Sequence, residues 1–202
     1  FRRVLFRSGQ LNITTAPIDE SEWRWLILAL MRSRPMAVLL DNVVSLNTPT
    51  LSSVITSGRF SDRMMGTSEV ATVAAHTTWL VTGNNPPISR ELIRRTFEIR
   101  LDAHCEHPER RDHFQHPDIR AWANENRADL VWWVFVLLRY WLANGMVRGK
   151  RKLGGFESWS EILDGILTAV GVDGFLDNQL HRSEVASPEE EQFFGFVQRW
   201  FA

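Results

Sequence analysis

Two short apolar runs, each ending abruptly in polar residues, constrain this chain more than any other feature. Met36-Ala-Val-Leu-Leu runs into Asp41-Asn42, and some way downstream Thr77-Thr-Trp-Leu-Val-Thr82 runs into Gly83-Asn84-Asn85-Pro86. Strands that are apolar along their length and polar at their C-terminal tips are how an open α/β sheet builds a ligand site. The spacing between the two runs leaves room for a helix and further strands.

The segments around them read as a layered α/β region. Leu11-Asn-Ile-Thr-Thr15 is β-prone and is closed by Pro17. Asp19 or Ser21 can cap a helix reaching about Met31, with Trp23, Leu26, Ile27 and Leu30 at helical spacing. Strand, helix, strand in this order predicts a parallel crossover into the Met36–Asp41 strand. Thr48-Pro49 reads as an N-cap followed by a first-turn proline, and Gly58 as the stop of that helix. Phe60 to Val73 reads as a hairpin turning at Gly66-Thr67-Ser68. Ser89 is placed to cap a short helix carrying Arg94 and Arg95, and Phe97-Glu-Ile-Arg-Leu101 alternates as a final strand should.

Composition then shifts. His104 to His116 is polar, and helical signals follow over about 117–124, 128–144, 158–170 and 187–201. The last of these starts at Ser187-Pro188 with three glutamates, where the helix dipole favours them, and carries Phe193, Phe194, Val197, Trp200 and Phe201 as one stripe. Leu130 to Leu142 is apolar on nearly every side, too short for a membrane span of about 20 residues, and reads as a buried helix whose Trp132, Trp133, Phe135 and Trp141 read as core in preference to a base-stacking platform. The expected organisation is therefore residues 1–10 of uncertain origin, an α/β region over 11–103, and an all-helical region over 104–202. A start at Phe1 rather than Met suggests a piece of a longer protein, and no signal peptide shows there.

Bulk properties narrow the partners. With 202 residues, 44% hydrophobic and 23% charged, the chain has the make-up of an ordinary globular protein, and a net charge of -1 argues against a uniformly basic nucleic-acid coat. A single cysteine, Cys105, forms no internal disulfide and fits a reducing cytoplasm. His104, Cys105, His107, His113 and His116 match no structural zinc spacing, so no zinc is expected and the stretch reads as a polar connector.

Three features carry chemistry. Asp41 at a strand tip can hold Mg²⁺ through water against nucleotide phosphates, although an Asx-turn or helix cap is the plainer alternative. A side-chain amide from Asn84 or Asn85 can orient an attacking water, although Gly-Asn-Asn-Pro is also an ordinary turn sequence. Arg94 or Arg95 can stabilise transition-state charge on a neighbouring subunit's nucleotide, or can be a solvated surface pair.

Taken in order, Ala37-Val-Leu-Leu-Asp41-Asn42, Thr82-Gly-Asn84-Asn-Pro and Leu92-Ile-Arg94-Arg95-Thr-Phe-Glu-Ile-Arg-Leu resemble the later half of an AAA+ P-loop ATPase core. The closest likeness is to superfamily 3 and D5-like primase-helicases of phages, plasmids and integrated elements. Phe60-Ser-Asp-Arg63-Met-Met-Gly66 and Leu153-Gly-Gly-Phe-Glu-Ser-Trp159-Ser also resemble segments of such proteins. The resemblance implies a partial AAA+ core with parallel strands and a β-hairpin insertion, followed by helices. It further implies Walker B at Asp41, sensor 1 at Asn84 and an arginine finger at Arg94 or Arg95. ATP and Mg²⁺ are the implied cofactors, single-stranded DNA or a replication fork the implied partner, and a homo-oligomeric ring, a hexamer, the implied assembly. No membrane association is expected. In those relatives a hairpin touches DNA, which places Arg59 and Arg63, with Arg90, among DNA-contacting candidates; the Arg148–Lys152 loop adds Lys150 and Arg151, with a solvated loop as the equal alternative there.

Two departures from that pattern stand out. Asn42 occupies the place where most AAA+ members carry a water-activating glutamate, and an amide cannot act as a general base; Glu69 is a remote substitute. No Gly-x-x-x-x-Gly-Lys-[Ser/Thr] loop occurs, and Gly145-Met-Val-Arg-Gly149-Lys150-Arg151 has the wrong spacing and no hydroxyl after its lysine. A non-catalytic DNA- or partner-binding module on a degenerate ATPase scaffold is the competing expectation.

Overall fold

A computed structural model describes residues 11–112 and 114–179. The described residues divide between two compact units, one ending at Thr96 and the other beginning at Phe97.

The first unit is built on a three-stranded parallel sheet of β1 (Asn12–Thr14), β2 (Ala37–Leu40) and β5 (Thr78–Val81), with β2 in the centre. Helix α1 (Glu20–Arg32) makes the expected crossover between β1 and β2. It buries Trp23, Ile27, Leu28 and Met31, a spacing that puts them on one helical side. Trp23, Ile27 and Met31 join Val38 and Leu40 of β2 in one core cluster. Helix α2 (Pro49–Ser57) follows its sequence signals closely. Thr48 Oγ1 accepts from Leu51 N, Pro49 opens the first turn, and Gly58 closes it with φ of 65°, a left-handed conformation that glycine takes without penalty. Leu51 and Val54 of α2 complete the core.

Strands β3 (Arg59–Arg63) and β4 (Val70–Ala74) form the expected hairpin, separate from the parallel sheet. It packs on α1. Asp62 anchors it: Arg24 donates Nε to Oδ2 at 2.7 Å and Nη2 to Oδ1 at 2.8 Å, and Arg63 N donates to Oδ1 at 2.7 Å. The Arg24 guanidinium holds the Asp62 carboxyl below its ordinary range, against the opposing effect of burial.

The sheet differs from a fully covered one. Ile13, Leu39 and Leu80 share a register row, and Ile13 and Leu80 are exposed. The row carrying Leu40 and Val81 faces the core instead. Burial in β2 and β5 therefore alternates rather than running continuously, because helices α1 and α2 pack with one side of the sheet.

The second unit begins with a segment read as a strand and found irregular: among the described residues, Phe97–Leu101 pairs with no strand. Its alternation is real, but a strand needs a neighbour's N–H and C=O groups, and Ile99 and Leu101 stand largely exposed. Phe97 instead packs its ring on Phe175, with centroids 5.1 Å apart. After a 3₁₀ turn at Pro108–Arg110 come α4 (Ile119–Glu125), α5 (Arg127–Ala143) and α6 (Glu157–Ala169). Asp118 Oδ1 caps α4 by accepting from Ala121 N at 2.9 Å. A small core of Leu153, Phe175 and Leu176 gathers Phe156, Leu163 and Leu167 around it. The helix expected over 187–201 lies outside the described residues.

Helix α5 corrects one expectation. It is the apolar helix read as buried, yet none of its residues is buried, and Trp132 and Trp133 are 60% and 61% exposed. Val131, Phe135, Leu138 and Trp141 are only partly covered, in a unit where α4 and α6 are the packing neighbours. Among the described residues, no helix is long and apolar enough to cross a membrane.

Candidate functional site at the C-terminal edge of the sheet

Parallel pairing brings the tips of β2 and β5 side by side, since Leu40 is in register with Val81. The pairing continues past both strands. Thr82 N donates to Leu40 O at 3.0 Å, and Val43 N donates to Thr82 O at 2.8 Å. Further along, Leu46 N donates to Pro87 O, Ser89 N donates to Leu46 O, and Leu46 and Ile88 form a parallel bridge. The loops that follow the two strand tips are thus bonded to one another.

Asp41 stands exposed at the start of this zipper, its N–H donating to Thr14 O at 2.9 Å. Its Oδ1 accepts from Thr82 Oγ1 at 2.5 Å, while Asn42 N donates to the same hydroxyl at 3.0 Å. A hydroxyl has one proton, so the bond from Asn42 leaves that proton for the carboxylate. Thr82 is the residue that sequence reasoning passed over. Its signal was present: a hydroxyl in the last position of an apolar strand, next to a Gly-Asn-Asn turn. Asn42 and Asn85 both take left-handed backbone, with φ of 53° and 48°, which asparagine tolerates better than most side chains.

The other candidates fall into place unevenly. Asn84 is exposed in the loop after β5, and its side chain makes no hydrogen bond among the described residues. Arg94 and Arg95 lie just after the short helix α3 (Arg90–Ile93) rather than within it. Both are held by Glu91. Arg94 Nη2 bonds Glu91 Oε1, and Arg95 Nη1 donates to Glu91 O at 2.5 Å and Oε2 at 3.0 Å. These guanidinium groups, Arg94 first, hold the Glu91 carboxyl below its ordinary range. Arg94 remains 56% exposed and Arg95 only 20%. Glu69 belongs to the hairpin turn, where its carbonyl accepts from Met64 N.

The basic candidates divide in the same way. Arg59 and Arg63 are exposed on the hairpin, and Arg63's side chain makes no hydrogen bond among the described residues. In the 148–152 loop most charges are spoken for. Arg148 and Lys152 pair with Glu161, while Arg151 reaches Asp164 at 3.5 Å and also pairs with Asp177. The Asp164 carboxylate is buried and accepts from Lys150 N at 2.8 Å and Arg151 N at 3.1 Å, so it fixes the loop's backbone. Only Lys150 presents a side chain outside these pairs among the described residues.

His104 and Cys105 border an open hollow of about 870 Å³ with Asp102 and Arg111. Among the described residues, no three His, Cys, Asp or Glu side chains gather as a metal-ligand group; His113 lies outside them. A single carboxylate with one committed oxygen, as at Asp41, is still compatible with Mg²⁺, which keeps most of its waters and takes one or two carboxylates. Comparisons with known proteins give no matching family model, no matching curated protein and no matching solved structure.

Proposed function

We infer that this chain carries the later part of a P-loop AAA+ ATPase core, belonging to a helicase or DNA-remodelling enzyme that replicates phage or mobile-element DNA. The observation that supports this reading best is the hydrogen-bonded pair of strand tips, with Asp41 on β2 and Thr82 to Asn84 on the neighbouring parallel strand. An acidic strand tip beside an amide-bearing strand tip suits a hydrated cation next to a polarised phosphate. In this reading Asp41 holds Mg²⁺ through water, and Asn84 meets the terminal phosphate or the attacking water. Arg94 or Arg95 serves the nucleotide of a neighbouring subunit, which calls for a ring. Bound Mg²⁺ would neutralise charge on the phosphates; Asn42 cannot abstract a proton, so in this reading either a carboxylate elsewhere serves as base or hydrolysis is slow.

The reading needs a Gly-rich Gly-Lys-[Ser/Thr] loop from sequence outside residues 1–202. In the intact protein carrying such a loop, Asp41→Ala should abolish ATP hydrolysis. Unchanged turnover removes Asp41 from the mechanism, and a natural reading frame without the loop removes the ATPase reading altogether.

One observation favours a second reading, a non-catalytic module for DNA or a protein partner. Asn42 has its backbone fixed in left-handed conformation by the bond to Thr82 and offers an amide where a base is needed. Nucleotide binding without turnover in the intact protein would select it.

A further inference from the structure

Thr82 stands between the two strand tips, and we propose that it is a positioning residue that sets which oxygen of Asp41 meets a hydrated cation. The proposal rests on the ATPase reading above. Three observations carry it. The hydroxyl accepts from Asn42 N at 3.0 Å, so its proton is directed to Asp41 Oδ1 at 2.5 Å. Thr82 is itself held by backbone on both sides, through its N–H to Leu40 O and its carbonyl to Val43 N. Asp41 is exposed, and among the described residues its Oδ2 has no partner.

The consequence is geometric. A free carboxylate rotates about its terminal bond and offers either oxygen. Here one oxygen is committed to a hydroxyl carried on backbone that is bonded on both sides, so while that bond is made Oδ2 is the oxygen left to meet a ligand. A donor to Oδ1 also lowers the charge available there, leaving Oδ2 as the better acceptor from a metal-bound water. Partners that orient a ligating group in this way commonly change metal affinity or activity by roughly 10- to 100-fold when removed.

The test uses Thr82→Val, Thr82→Ala and Thr82→Ser in the intact protein, with ATP hydrolysis measured against free Mg²⁺. Valine and alanine should raise the Mg²⁺ concentration for half-maximal rate by roughly tenfold or more, whereas serine should stay within about twofold of wild type. Valine matching wild type overturns the proposal, and so does serine behaving like valine, since the methyl group would then be what matters. A readout free of activity accompanies it: hydrogen exchange at the Asn42 amide should accelerate in the valine variant, which lacks the acceptor, and not in the serine variant. Unchanged exchange in valine overturns the proposal by itself. A wild type that hydrolyses no nucleotide at any Mg²⁺ level overturns the ATPase reading and the role of Thr82 in it, and the exchange result still reports whether the hydroxyl makes its bonds.

Discussion

Gly83 lies so close to Val43 that a Cβ on it would stand 2.5 Å from the Val43 carbonyl oxygen. The contact joins the loop after β5 to the loop after β2, immediately beside the Thr82–Asp41 bond. Pro86 closes on the same side, 3.0 Å from the same position. Glycine is needed here for space, not for a left-handed backbone.

Gly83→Ala should therefore force the two loops apart. The atoms it would meet are a backbone carbonyl and a proline ring, neither the end of a flexible side chain, so the cost should be about 1–3 kcal/mol, the range for overpacking. Urea denaturation of the two proteins measures it. A difference under about 0.5 kcal/mol, the size of an ordinary surface change, would show that the loops are not locked.

The Arg24–Asp62 pair predicts a pH dependence. The Asp62 carboxyl titrates below its ordinary value of 3.8 because of Arg24, so its contribution is fully present above that value and is lost as pH falls through the depressed one. Asp62→Asn should be less stable than wild type at neutral pH, and the gap should close only in acid, below about pH 4. Thermal melts across pH 2 to 7 read it out, with those limits set roughly by carboxylate titration. A gap that stays constant through acid would assign the effect to packing instead of charge.

How much of this was legible beforehand depends on whether the cause was local. Thr48, Pro49 and Gly58 mark the ends of α2 by their own backbone chemistry, and β1, α1 and β2 followed from period and order. The hairpin turn at Gly66 was readable for the same reason. What failed needed a neighbour. Among the described residues, Phe97–Leu101 has a strand's alternation without a strand beside it, and Leu130–Leu142 has the composition of a buried helix without elements on all sides. The bond from Thr82 to Asp41 spans 41 positions in sequence. The candidates Asp41 and Asn84 could be named from strand ends, and Thr82 stood at one of those ends too, but its bond to Asp41 emerges only with β2 and β5 in register.

Helix α5 gives a contrast within one molecule. Trp133 is 61% exposed, whereas Leu40 in β2 is fully buried. Trp133→Gln should change unfolding free energy by less than about 0.5 kcal/mol, and Leu40→Ala should lower it by about 2–5 kcal/mol. If Trp133→Gln instead costs several kcal/mol in dilute solution, α5 is covered there by something beyond its described neighbours.

Ion pairing separates the two basic candidates, the hairpin and the 148–152 loop. Arg63 is exposed, and among the described residues its guanidinium makes no hydrogen bond, so it can meet a phosphate without giving one up there. Arg151 is already held by Asp164 and Asp177. If the chain binds single-stranded DNA, Arg63→Ala should weaken it across sequences and reduce the slope of log affinity against log salt by about 0.7, the share of one phosphate contact on a single strand. Arg151→Ala should leave that slope near wild type and instead lower stability, because it strips a partner from the buried Asp164. Fluorescence anisotropy over a salt series, paired with urea denaturation, separates the outcomes. A slope unchanged in Arg63→Ala and reduced in Arg151→Ala would move the contact from the hairpin to the loop.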